Sequence, residues 1–149
     1  MKAIFFALAV ALFAAPDGLA LAESPDGTWV MSNGMVTVRV AECGRQSLCA
    51  HIVGLKEARY KDGKRKIDRH NKNPALRRRP LLGLPMLKNM RSEGANRWAG
   101  KIYNPDDGNI YSATLTLSGD SIRVQGCVVG MLCKSETFVR VSRAATFTP

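Results

Sequence analysis

From Thr28 onward the chain keeps returning to one pattern, apolar and polar residues alternating with period two, each run ending in a turn signal. Val36, Val38 and Val40 fall on one face of such a run and Thr37 and Arg39 on the other, which is how a half-buried strand reads. The same reading applies to 28–31, 35–41, 49–55, 97–103, 110–117, 121–125 and 137–142, with 83–88 as a further candidate. Ser32-Asn33-Gly34, Cys43-Gly44, Asn104-Pro105-Asp106-Asp107-Gly108 and Ser118-Gly119-Asp120 separate them. Strands this short, joined by turns this tight, pair with their sequence neighbours. The expectation is an all-β chain, an antiparallel meander of about eight strands able to close into a small up-and-down β-barrel.

The N-terminus fixes the compartment. Lys2 precedes an apolar run at 3–15, Pro16-Asp17-Gly18 breaks it, and Ala20-Leu21-Ala22 has the small-x-small pattern of a signal-peptidase site. The run of 13 residues is shorter than the roughly 18 of a membrane-spanning helix. Residues 1–22 therefore read as an export signal and 23–149 as one mature domain of periplasmic or secreted address. Cys43, Cys49, Cys127 and Cys133 then read as disulfides, an even set in an exported chain. Three pairings are open to them. Local staples, Cys43 with Cys49 and Cys127 with Cys133, are the economical choice, each closing a loop of about seven residues worth roughly 2 kcal/mol. Zinc knuckles space their ligands more closely, by two to four residues, so no metal is assigned.

Loss of Lys2 and Asp17 with the signal leaves 21 basic and 11 acidic residues and a net charge of +10. Nearly all of the excess lies at 56–88, where twelve Lys and Arg face Glu57, Asp62 and Asp68. Residues 61–72 read as a mobile surface excursion, too polar to bury. Asn73 and Pro74 follow as N-cap and first-turn proline of one short helix through Arg79, which Pro80 stops. The stretch has only Tyr60 as an aromatic and no nucleic-acid-binding motif, so nucleic acid is not an expected partner.

Two stretches of this chain, Asn73-Pro-Ala-Leu-Arg-Arg-Arg-Pro-Leu-Leu-Gly-Leu-Pro-Met-Leu87 and Trp98-Ala-Gly-Lys-Ile-Tyr-Asn-Pro-Asp-Asp-Gly-Asn-Ile-Tyr-Ser112, resemble the bacterial family known as domain of unknown function 2147. Gly27-Thr28-Trp29, the stretch from Cys43 to Leu55 and Thr137-Phe138-Val139-Arg140-Val141 complete the likeness. It implies export and a lipocalin-like β-barrel, and no defined activity. Gly54 and Phe138 depart from it, each standing where the family commonly carries Trp. In lipocalin-type barrels a Gly-x-Trp on the first strand packs its indole across the closed end beneath an Arg of the last strand. Gly27, Trp29 and Arg140 are the residues that scheme assigns here; a core Trp with an unrelated surface Arg is the other reading.

Catalytic signatures are missing from the sequence. His51 and His70 stand alone, and no His-Glu-x-x-His or Gly-x-Ser-x-Gly occurs. Asp106 and Asp107 read as a hairpin turn capping its own backbone. Arg77, Arg78 and Arg79 are the sharper candidates: neighbours on a helix point about 100° apart, so at least one should turn toward the barrel mouth and grip a carboxylate or phosphate. A solvated charged face is the competing reading. Lys101, Tyr103 and Tyr111 alternate on neighbouring strands, either meeting at a cavity wall or facing outward. The functional expectation is a monomeric barrel that binds a small amphipathic or anionic molecule without catalysis and without a cofactor. Docking of the basic segment on an anionic membrane surface or other polyanion is the alternative, and an uncharacterised hydrolase the third.

Overall fold

Alternation and tight turns close the chain into a barrel of eight antiparallel strands, each paired with its sequence neighbour and the last with the first. The computed structural model describes residues 23–128 and 132–143, without the side chains of 142 and 143; the export signal expected at 1–22 lies outside the described residues. The strands are β1 (Gly27–Met31), β2 (Val36–Glu42), β3 (Ser47–Leu55), β4 (Pro85–Gly94), β5 (Arg97–Asn104), β6 (Asn109–Ser118), β7 (Ser121–Val128) and β8 (Leu132–Arg143). Both local disulfides, Cys43–Cys49 and Cys127–Cys133, are formed, as an oxidising compartment permits. Among the described residues no helix is long and apolar enough to cross a membrane.

The period-two residues meet inside. Trp29, Val38, Val40, Leu48, Ala50, Leu87, Met90, Leu115, Ile122 and Phe138 belong to one buried cluster that fills the barrel. Gly100 permits a close approach there: a Cβ on it would lie 2.7 Å from both the Asn89 carbonyl oxygen and Met90 Sδ. Asn89 itself has φ of 51°, the left-handed kink that lets β4 bulge against β5.

Up-and-down topology sorts the connections to two ends. At one end are the N-terminal arm, the Cys43–Cys49 hairpin and the β4–β5 and β6–β7 turns; Trp29 is buried there with Arg140 Cζ 4.0 Å from its ring centroid. At the other end are the β1–β2 and β5–β6 turns and a long strap, residues 56–84, between β3 and β4.

Two expectations for the strap need correction. The helix is a single 3-10 turn, Pro74–Leu76, although Asn73 caps it as expected, accepting from the Ala75 amide. It stops because the next residues face the strap itself: the Arg79 carbonyl accepts from the Asp68 amide at 3.0 Å. Nor is 61–72 too polar to bury. Asp68 is fully buried and Asn71 nearly so, because their polar groups satisfy one another and the barrel wall.

Candidate ligand site at the strapped end

A buried carboxylate organises this end. Asp68 accepts from the Tyr103 hydroxyl, from Asn71 Nδ2 at 2.8 Å, and from Nε and Nη2 of Arg79, both at 2.8 Å. Asn71 Nδ2 also reaches the Tyr103 hydroxyl at 3.0 Å, and the Arg79 guanidinium lies 5.5 Å from the Tyr103 ring centroid. Backbone contact completes the latch. Gly108, at φ +71°, sits so near the strap that a Cβ would fall 1.9 Å from the His70 carbonyl oxygen. The latch thus ties the strap to β5 and to the β5–β6 turn.

The six side chains that the sequence offers as ligand contacts are dispersed by this arrangement. Arg79 is paired with Asp68, and Arg77 donates from Nε to the Asn71 carbonyl at 2.8 Å. Arg78 is exposed, with no ion-pair or hydrogen-bond partner among the described residues. Lys101 is exposed and donates to Ser112 Oγ at 3.1 Å. Tyr103 and Tyr111 do not share a wall. The β5–β6 register pairs Tyr103 with Ile110 and Tyr111 with Ile102, so the two tyrosines lie on opposite faces of the ribbon. Of the six, Tyr111 alone shares the inward face, that of Ala113 and Leu115.

Tyr111 also has companions that the sequence reading passed over. Met31, Val36 and Ile102 pack against the core cluster but are only partly buried, and beside them Ile52, Leu84 and Tyr103 form a second buried cluster under the strap. On β8, Lys134 and Glu136 are in phase with Phe138 but stand at the rim, their side chains 85% and 39% exposed and their charged groups 3.5 Å apart. Alternation alone starts this strand at Thr137, because its first half is polar. Charged residues in phase with the buried Phe138 were the available signal, since an inward-facing charge at a strand end marks a wet barrel mouth.

The β5–β6 turn holds Tyr111 by its hydroxyl, which donates to Asp107 while Asp107 Oδ1 accepts from the Asn109 amide at 2.8 Å. Burial works to raise the Asp107 pKa, but the hydrogen bonds from Tyr111, Asn109 and Asn104 outweigh it and hold the carboxyl below its ordinary value. The hydrogen bond to Asp107 in turn raises the Tyr111 hydroxyl.

Residues 27–140 match the model of a family described as "Uncharacterized protein conserved in bacteria (DUF2147)". The chain belongs to this family. The DUF2147 barrel is also similar to a solved structure, protein HP1028 from the human pathogen Helicobacter pylori, described as belonging to the lipocalin family. The TM-score is 0.67 at 23% sequence identity, over 80% of this chain and 84% of that one, a likeness that shows the lipocalin-like fold. No curated protein matches the chain.

The two stretches in which the resemblance was read meet at the latch: Arg79 comes from the first, and Tyr103 and Gly108 from the second. A groove of about 610 Å³ opens at the other end, with Leu48 and Trp98 among its apolar lining, Glu23, Asp26 and Glu42 among its polar lining, and no basic residue.

A pH dependence follows from the latch. Burial raises the Tyr103 hydroxyl above its ordinary value of 10.0, and the hydrogen bond to Asp68 and its charge add to this; Asn71 and Arg79 oppose it less strongly. The folded protein holds this proton more tightly than the unfolded chain. Stability from this group is therefore complete below about pH 10 and is lost as pH rises through the raised value. Melting temperatures recorded from neutral pH into this range are expected to fall less steeply for Tyr103→Phe than for the parent. Tyr111 leaves part of the fall in both. Identical slopes would assign the alkaline loss elsewhere.

Proposed function

We propose that the protein is an exported, non-catalytic carrier of a small amphipathic anion, captured at the strapped end of its barrel. The observation that carries this reading is the change along the inner wall. Toward the strap the inner wall carries half-buried Met31, Val36, Ile102, Tyr111 and Glu136 beside a second buried cluster of Ile52, Leu84 and Tyr103, and the strap joined to that end lies in the 56–88 stretch of net charge +9. An apolar wall under a positive field suits a molecule with a short tail and a carboxylate or phosphate head. Lipocalin-like barrels are commonly binding folds, and no nucleophile with an oriented base is assembled among the described residues. The mature chain 23–149 is read as a periplasmic or secreted monomer.

Native mass spectrometry of the protein isolated from the cells that export it tests the reading. A bound small molecule, released by organic solvent, is the expected result; a bare polypeptide mass would count against a carrier. Trp98, which lines the opposite groove, reports on location, since Trp29 is fully buried. Its fluorescence should stay unchanged when an added alkyl carboxylate binds at the strapped end.

The alternative, docking of the strap on anionic lipid, draws support from Leu76 and Leu82, which are exposed within the basic segment. Flotation with anionic vesicles that persists after the protein is saturated with a soluble alkyl carboxylate would favour it.

A further inference from the structure

The strap carries a concavity of its own. Within it, 58–60 and 64–66 form a short antiparallel ribbon: the Lys66 amide donates to the Ala58 carbonyl at 2.9 Å and the Tyr60 amide to the Lys64 carbonyl at 2.8 Å, with Gly63 closing the turn onto Tyr60. These bonds flank the bridge between Arg59 and Arg65 rather than joining the two residues. In such a non-hydrogen-bonded pair the side chains leave the same face at their closest spacing, with Cβ atoms about 4.5–5.5 Å apart. Two arginine side chains thus start side by side from one face of the ribbon. Like charges directly opposite one another destabilise a ribbon. Arg59 Nη1 donates to the Gly63 carbonyl at 2.7 Å, while Arg65 has no ion-pair or hydrogen-bond partner among the described residues.

The surroundings make this pair a pocket. The returning strap, held by the Ile67–Pro80 bridge and by the Leu81 amide on the Lys66 carbonyl at 3.0 Å, supplies the facing wall. The resulting space, about 350 Å³, is lined by Ala58, Arg59, Arg65, Lys66, Pro80 and Leu82. Three of these are cations and three are apolar. Glu57 pairs with Lys66 Nζ at 3.5 Å and Asp62, in the turn, with Lys64 Nζ at 3.3 Å; neither arginine has an ion-pair partner among the described residues.

We propose that this pocket is the anion subsite of the protein, taking the carboxylate or phosphate head group of an amphipathic small molecule between Arg59 and Arg65. Ala58, Pro80 and Leu82 cover the first carbons of the tail. The volume is near the lower end of ligand pockets, about 300–1,000 Å³, and Arg59, Arg65, Pro80 and Leu82 are exposed, so the concavity is open to solvent and has room for the head and the start of the chain only. A planar guanidinium binds either oxyanion through paired N–H donors, and an anion between two of them removes their mutual repulsion. This assignment rests on the carrier reading above and gives it a location. It also separates the pocket from the Arg77–Arg79 triplet, where Arg77 and Arg79 are already held by the strap.

Calorimetric titration of the disulfide-intact protein with octanoate, octyl phosphate and octanol tests it. Octanoate or octyl phosphate, or both, should bind the parent more tightly than octanol, and the stronger of the two names the head group. Arg59→Gln and Arg65→Gln should each weaken that binding by about tenfold or more, the loss of a bidentate charged contact. Arg78→Gln removes the same charge from the same segment at an exposed site and should weaken it less than about twofold. Arg65→Gln should leave the melting temperature of the unliganded protein unchanged or raised, since it relieves repulsion; a lowered one would assign Arg65 a structural role and overturn the subsite. Parent-like binding by both pocket variants, or an equal loss in Arg78→Gln, would overturn the subsite and leave the carrier reading standing. Failure of all three probes to bind the parent would overturn both.

Discussion

Trp29→Ala is expected to lose about 3–5 kcal/mol of unfolding free energy, the range for deleting a large aromatic ring from a packed core. The ring is fully buried at the closed end, and its Nε1 donates to the Pro25 carbonyl at 2.9 Å, drawing the N-terminal arm across the barrel floor. Arg140 covers it from the last strand. That guanidinium is held on three sides, by Asp120 Oδ1 at 3.1 Å, the Asp26 carbonyl at 3.0 Å and the Ser24 carbonyl at 3.1 Å. The indole therefore joins β1, β8 and the arm at once, and a methyl group in its place leaves both a cavity and an arginine without its ring. Arg140→Ala should cost less, about 1–3 kcal/mol, through lost hydrogen bonds and cation–π contact. Urea unfolding followed by circular dichroism measures both. A loss under about 1 kcal/mol for Trp29→Ala would show that the floor repacks without the ring.

How far the sequence reveals this architecture depends on how local the determining contacts are. Strands whose inner face holds an unbroken apolar run, such as β2 with Val36, Val38 and Val40, are legible because that run alternates cleanly with polar neighbours. Strands that leave the dry region midway are legible only in part. The second half of β4, through Arg91, Ser92 and Glu93, pairs with β5 across two register shifts and shows no alternation, because most of its side chains are exposed. The first half of β8 is hidden for the same reason, and with it went the inward-facing Lys134 and Glu136. Both disulfides were legible because each closes a single hairpin.

The latch lay beyond local reading altogether. Asp68 sits in a stretch whose composition says solvent, and what buries it is a tyrosine 35 residues away and an arginine 11 residues away. No short window of sequence contains all three. Arginine 79 illustrates the consequence: as one of three consecutive cations it looks free to seek a ligand, while the fold assigns it to an internal carboxylate. Arg59 and Arg65 show the reverse, since only the bridge between their backbones brings two separated cations together.

The same long-range wiring predicts what removal of the carboxylate does. Asp68→Ala is expected to cost about 3 kcal/mol, the low end for removing one partner of a buried ion pair, because the Arg79 side chain is 28% exposed and can regain some water. Tyr103 and Asn71, both nearly inaccessible, cannot, and each loses an acceptor where no solvent replaces it. Asp68→Asn keeps the shape but gives Arg79 a neutral partner, so it should fall between the parent and Asp68→Ala. The loss should be local in its structural effect. Amide hydrogen exchange is expected to show reduced protection at Asp68, Asn71, Arg79 and Leu81, whose backbone bonds hold the strap together. Amides of β6 and β7, whose ladder is continuous from Ser112 to Ser118, should keep theirs. If the strap amides of Asp68→Ala stay as protected as in the parent, the strap is held by its apolar contacts at Leu81 and Leu84, and the buried carboxylate has another purpose.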